Sequence, residues 1–230
     1  LVNDLPAFEF RYGSDLPVAG VFQNATGLSN GGETLTMTHG ATGAVIQSFS
    51  YEDSAPWPEA ADGHGYSLTL AHLDGSLSDP RNWRASREAG GTPGTGDRVS
   101  LAGWLSSHGL TTDELESDLD HDGLSALLEY AIGSNPKDPS DGNVFTPAIT
   151  SLEVDGQTDH YLVVQFPRLK GADDVRVTTE VSKDLITWSD AGPLVEYQFN
   201  SGNPVEVLMA RAPTPSGHEP QFLRLRVESR

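Results

Sequence analysis

Between Asp118 and Glu129 the chain reads Asp-Leu-Asp-His-Asp-Gly-Leu-Ser-Ala-Leu-Leu-Glu, with carboxylates at the first, third and fifth positions, glycine at the sixth and glutamate at the twelfth. A hard cation such as Ca²⁺ takes about six to eight oxygens. A twelve-residue loop supplies them from side chains at positions 1, 3 and 5, a backbone carbonyl at 7, a water at 9 and a two-oxygen Glu at 12. On that template Asp118, Asp120 and Asp122 each give one oxygen. Leu124 gives its carbonyl, Ala126 holds a water through its backbone, and Glu129 gives two oxygens. Gly123 falls where the chain turns sharply and a Cβ would collide. A solvated acidic turn capping a helix would account for one Asp. It would not account for three at alternate positions followed by Gly and Glu at the right distances.

The loop resembles an EF-hand standing alone. The pattern occurs once in the sequence, and its eighth position, a branched apolar residue where two hands pair, is Ser125. Upstream, Arg98–Ser107 reads as a short helix, and 108–117 intervene before the loop, so no long helix feeds it. Downstream, Leu124–Ile132 reads as a helix with Leu124, Leu127, Leu128 and Ile132 on one face. Gly133 stops it, and Pro136 and Pro139 bar its return. A lone loop between larger blocks suits a structural clip better than a paired sensor.

The chain has 230 residues, no cysteine and a formal net charge of −19. The segment 98–143 is its most acidic part, with nine Asp or Glu against two basic residues. A surface so acidic repels nucleic acid and anionic membranes, and no apolar run approaches the roughly 18 residues of a membrane span. Without cysteine there is no disulfide or thiol chemistry, and calcium can brace an exported protein instead. The expected location is extracellular or at the cell surface, with the export signal outside this chain.

Residues 1–97 read as all-β. Apolar-rich runs at Val18–Phe22, Thr34–Thr38, Ala44–Tyr51 and Ser67–Leu70 are separated by Gly- and Asn-rich turns. Alternation in Thr34–Thr38 points Leu35 and Met37 to a core, and Trp57 and Trp83 are expected to cover the end of a sandwich. Leu28-Ser-Asn-Gly-Gly-Glu33-Thr-Leu35, Ser48-Phe49-Ser-Tyr51, Ala55-Pro-Trp57-Pro, Ala61-Asp-Gly-His-Gly65-Tyr-Ser67-Leu68, Asn82-Trp83 and Gly90-Gly-Thr-Pro-Gly94 follow in the order of bacterial lamin-tail domains. The resemblance covers the C-terminal portion of that domain and implies an immunoglobulin-like sandwich. Trp104-Leu-Ser-Ser-His108-Gly-Leu110, the loop, and Glu129-Tyr-Ala-Ile-Gly133-Ser-Asn-Pro136 resemble the single dockerin-like calcium repeat of secreted planctomycete and verrucomicrobial proteins. Residues 144–230 form a second β block, with strands at Tyr161–Phe166, Val175–Val181, Val205–Arg211 and Phe222–Val227. Asp184-Leu-Ile-Thr-Trp188 resembles an element of the C-terminal sandwich in those same proteins, and Trp188 is expected in the core. The fold class expected is therefore mainly β: two immunoglobulin-like β-sandwich blocks, 1–97 and 144–230, joined by the short helical calcium-binding segment 98–143.

Seven histidines are present, but none form a zinc-like pair or cluster, and no nucleophile elbow or phosphate loop occurs. His121, at the fourth loop position, is expected to face solvent. The leading expectation is a non-catalytic, calcium-binding accessory region of a secreted or cell-surface bacterial protein, with neighbouring domains of its parent or an extracellular glycan as partners. The alternative is a carbohydrate- or polymer-binding module presenting Tyr12, Trp57, Tyr66 and Trp83 as an aromatic row. An enzyme built from scattered acids would need a cleft with a raised-pKa carboxylate away from the loop.

Overall fold

In the computed structural model, residues 1–24, 26–198, 202–214 and 221–230 are described. The architecture is mainly β, with several small antiparallel sheets and a few short helices. The chain opens on helix α1 (Leu5–Tyr12), within a block expected to be all-β. Asp4 caps it by accepting the Ala7 N–H at 2.9 Å, and Pro6 sits in its first turn, where a missing N–H costs nothing. The strand expected at Val18–Phe22 reduces to an isolated bridge between Val2 and Val21.

Strands β1 (Glu33–Thr38) and β2 (Val45–Tyr51) form a two-stranded hairpin, Leu35 opposite Phe49 and Met37 opposite Gln47. Its inner end packs: Phe49 stacks on Trp83 at 5.9 Å, and Leu35 is half-buried. Its outer end does not, and Met37 remains 62% exposed, against the expectation that it faces a core. The bulge at Met37/Thr38 lies where the hairpin runs past the last packed side chain. Strands β3 (Leu68–Leu70) and β4 (Trp83–Ala85) make a second ribbon, and Trp57 is buried against Trp83 at 6.0 Å.

Helix α2 (Leu101–His108) is capped by Ser100, which accepts the Gly103 N–H. Helix α3 (Ala126–Ile132) ends on Gly133, whose φ of 80° is the left-handed conformation that closes helices. The C-terminal strands are β5 (Thr146–Val154), β6 (Gln157–Leu169), β7 (Val175–Ser182), β8 (Ser189–Asp190), β9 (Val195–Gln198), β10 (Val205–Pro213) and β11 (Phe222–Ser229). They form a four-stranded sheet, β5-β6-β10-β9, and a three-stranded sheet, β11-β7-β8.

Helix α3 lies between two hydrophobic clusters. On one side Leu127, Tyr130 and Ala131 meet Trp104, Leu105, Leu110 and Val175. On the other, Ile132 and the preceding Leu124 join Phe166, Leu208 and Ala210 of the four-stranded sheet, with Val177, Leu223 and Leu225 of the other sheet packed alongside. Six of its seven residues are buried, so the helix is held by packing rather than by its length. Residues 1–97 join this body through buried charge. Arg84 donates from Nε and Nη2 to both oxygens of Asp173 at 2.8 Å, and from Nη1 to Asp97 at 2.9 Å.

Trp188 is not in the core. Asp184 accepts the Ile186 and Thr187 N–H groups, and Leu185 takes a φ of 62°, which turns the segment outward. The half-buried indole is covered instead by the Arg224 guanidinium, 3.9 Å above the ring.

Candidate metal centre

The loop is pinned at both ends before any ion is considered. The Ala126 N–H donates to the Ser117 carbonyl at 3.0 Å and the Leu127 N–H to that of Leu115 at 2.9 Å. A capping box at Thr111 and Glu114 starts the short turn leading in, so no long helix precedes the loop. His121 takes a φ of 68° and faces solvent as expected, whereas a Cβ at Gly123 would meet open space rather than collide, and it is the φ of 97° that favours glycine there.

Backbone N–H groups aim the carboxylates. Asp118 accepts His121 N–H at 2.8 Å on Oδ1 and Gly123 N–H at 3.0 Å on Oδ2. Asp120 Oδ1 accepts from Asp122 N–H at 3.3 Å, and Asp122 Oδ1 from Leu124 N–H at 2.7 Å. Glu129, on α3, is fully buried at 0% exposure, and its Oε1 accepts the Ser134 hydroxyl at 3.4 Å. A fifth carboxylate arrives from beyond the loop: Asp141 Oδ2 accepts the Asn135 N–H at 2.9 Å.

Four of these five side chains keep their second oxygen buried and without a hydrogen-bond partner: Asp120 Oδ2, Asp122 Oδ2, Glu129 Oε2 and Asp141 Oδ1. Buried polar atoms are satisfied in the great majority of cases, and a cluster of orphaned acceptors calls for a cation or donor. Oxygens of Asp118, Asp120 and Asp122 lie within 4.8 Å of one another, as do those of Asp122, Glu129 and Asp141. Oxygens on opposite sides of a Ca²⁺ bound at about 2.4 Å are about 5 Å apart, so both groups are of coordination size, and Asp122 belongs to both. An all-oxygen, all-carboxylate set suits a hard divalent cation.

The electrostatics agree. Burial, reinforced by the Asp120 and Asp122 charges and less by Asp141, pushes the Glu129 carboxyl up to about 7, opposed by the Ser134 hydroxyl. Of the residues the sequence named, the structure groups Asp118, Asp120 and Asp122 with one another, and Asp122 with Glu129. Leu124 sits between them with its side chain in the core, and Ala126 is fully buried with its N–H committed to Ser117. Asp141 was not foreseen. Asn135 to Pro139 reads as turn chemistry that sends the chain back toward α3, but nothing in the sequence told Asp141 from Asp138. Asp138 is a half-buried carboxylate held below its usual range by the Ser140 hydroxyl and N–H.

The aromatic row is not displayed as a platform. Trp57 and Tyr66 are buried, and Tyr66 carries the Lys170 ammonium 4.8 Å from its ring centre. Trp83 donates its indole N–H to Leu77, and Tyr12 donates its hydroxyl to Gly90. Away from the loop, burial raises the Glu196 carboxyl. Glu196 accepts the Ala60 N–H at 3.0 Å across the blocks, and with Glu206, which is ion-paired to Arg168 within the four-stranded sheet, it lines a small pocket beside Arg81 and Asp190. Among the described residues no helix is long and apolar enough to cross a membrane. Compared with protein-family models, with curated proteins and with solved structures, the chain finds no match.

Proposed function

We infer that this chain is a non-catalytic, calcium-binding accessory region of an exported protein, in which the ion braces the body that α3 holds together. The observation that carries the reading is the set of orphaned, buried carboxylate oxygens around Glu129. Bound Ca²⁺ supplies positive charge to a cluster that otherwise repels itself. Asp118, Asp120, Asp122, Leu124 through its carbonyl, and Glu129 hold it. Because Glu129 belongs to a helix packed between two hydrophobic clusters, neutralising it stabilises both. On this reading 1–97 and 144–230 are the β-sandwich blocks, the first of lamin-tail type, and 98–143 is the calcium clip. The chain spaces or anchors neighbouring domains at an extracellular surface.

Thermal unfolding in calcium and in chelator tests it. Extracellular calcium modules bind at about 10⁻⁴ to 10⁻³ M. At 10 mM calcium this linkage is worth about 1.4–2.7 kcal/mol, or a rise of about 3–11 °C for a chain of this size. Identical melting in calcium and chelator would refute it.

A further inference from the structure

We propose that Asp141 closes the calcium site from outside the loop, so that bound calcium latches the segment 133–143 against α3. This rests on the calcium reading above and adds a ligand and a conformational consequence to it.

The loop lacks a side-chain oxygen at its ninth position, where Ala126 is buried and its N–H is taken by Ser117. Asp141 stands on the Glu129 side of the site, with oxygens of Asp122, Glu129 and Asp141 mutually within 4.8 Å. Its free Oδ1 is buried and unpartnered, as is the Oε2 of the fully buried Glu129. With one oxygen each from Asp118, Asp120, Asp122 and Asp141, the Leu124 carbonyl and two from Glu129, the ion reaches about seven ligands, within the range calcium adopts.

The segment is folded to deliver that oxygen. Gly133 ends α3, and the Ser134 N–H returns to the Glu129 carbonyl at 3.1 Å. The Asp138 N–H donates to the Asn135 carbonyl at 3.0 Å, the Asn135 N–H to Asp141, and Pro136 is buried beneath the turn. Gly142 lies so close to Asp122 that a Cβ there would overlap its carboxylate. Beyond it, Val144 and Phe145 pack into the core below the two large sheets, Phe145 6.1 Å from Phe166. Without the ion, Asp141 faces the Asp122 and Glu129 carboxylates with no intervening positive charge, and the turn is driven off the helix. With the ion, one atom ties the loop, α3 and the entry to β5 together.

The test compares the parent chain with Asp141→Asn, which keeps an oxygen for the Asn135 N–H, and with Gly142→Ala, whose Cβ forces the turn and the Asp122 carboxylate apart. Calcium affinity is measured by competition with a chromophoric chelator. Opening is read by a lysine-specific protease at the exposed Lys137, one of three lysines in the chain. The parent is expected to resist cleavage after Lys137 in calcium and to be cut in chelator. Both variants should bind calcium about tenfold or more weakly, as loss of ligand charge or site rigidity dictates, and should be cut at calcium levels that protect the parent. Should Asp141→Asn fold poorly by circular dichroism, cleavage of the parent decides, because Gly142→Ala also presses on Asp122: equal cutting after Lys137 in calcium and in chelator overturns the latch. A parent that binds calcium alongside variants that bind as tightly and are equally protected would overturn this proposal alone. A parent that binds no calcium would overturn the calcium reading with it.

Discussion

Replacing Glu129 by Gln should stabilise the calcium-free chain while abolishing its response to calcium. The side chain is fully buried, and its carboxyl is raised from 4.5 to about 7 by burial and by the neighbouring Asp charges. A carboxyl raised in the folded state holds its proton more tightly there than in the unfolded chain. Folding is therefore undiminished by this group below about pH 4.5, weakened as pH rises from 4.5 to 7, and weakened fully above 7. At about 1.36 kcal/mol per unit the full loss is of order 3 kcal/mol. Water reaching the half-buried Asp120, Asp122 and Asp141 screens part of it, which leaves about 1–3 kcal/mol at pH 8. Gln is isosteric, retains an acceptor for Ser134 and never ionises. Urea unfolding of both chains in chelator at pH 5 and pH 8 reads the effect of Glu129 and its coupling to the neighbouring Asp charges, because titrating groups away from this cluster cancel between the two chains. The variant should gain at pH 8 and little at pH 5. In calcium the order should reverse, since only the parent is stabilised by the ion. A variant less stable than the parent in chelator at pH 8 would show that Glu129 is not under electrostatic stress.

Three other perturbations have expected outcomes. Arg84→Ala removes the cation between the buried Asp97 and Asp173 carboxylates, and should cost about 3–5 kcal/mol in urea unfolding because it leaves Asp97 without its cation and Asp173 with only the half-exposed Arg98. Gly133→Ala forces a Cβ onto a residue at φ 80° and to within 2.7 Å of Val205. It should cost about 1–3 kcal/mol, more than Gly43→Ala, which has φ 69° but open space. Magnesium, which requires near-octahedral geometry at about 2.1 Å and gives up water reluctantly, should stabilise the chain far less than calcium. Melting in equal concentrations of the two ions checks this.

The parts of the fold visible in the sequence are those where local pattern and tertiary packing agree. Strict alternation in Val175–Val181 and Phe222–Val227 marked strands that pair along their full length, with Arg224 opposite Glu180 on the outer face. Gly133 marked the end of α3, and the carboxylate spacing marked the loop. Expectations failed where alternation did not say what lay opposite. Met37 alternates correctly but sits on a hairpin end that runs past the packed layer. Val18–Phe22 has strand-like composition, yet only Val21 finds a partner. Trp188 was placed in the core on residue type, whereas the Asp184 turn sets its direction. Asp141 was hidden for another reason. Its role depends on how a Pro-rich turn returns to α3, and spacing along the chain does not encode that return.

The most direct test of the calcium reading is equilibrium dialysis of the chelator-stripped chain against radiolabelled calcium, with Glu129→Gln alongside. Asp122 belongs to both oxygen groups, so the parent should saturate at one ion per chain with a dissociation constant of about 10⁻³ M or tighter. The variant should retain almost none. No saturable calcium on the parent, or equal binding by the variant, would contradict it.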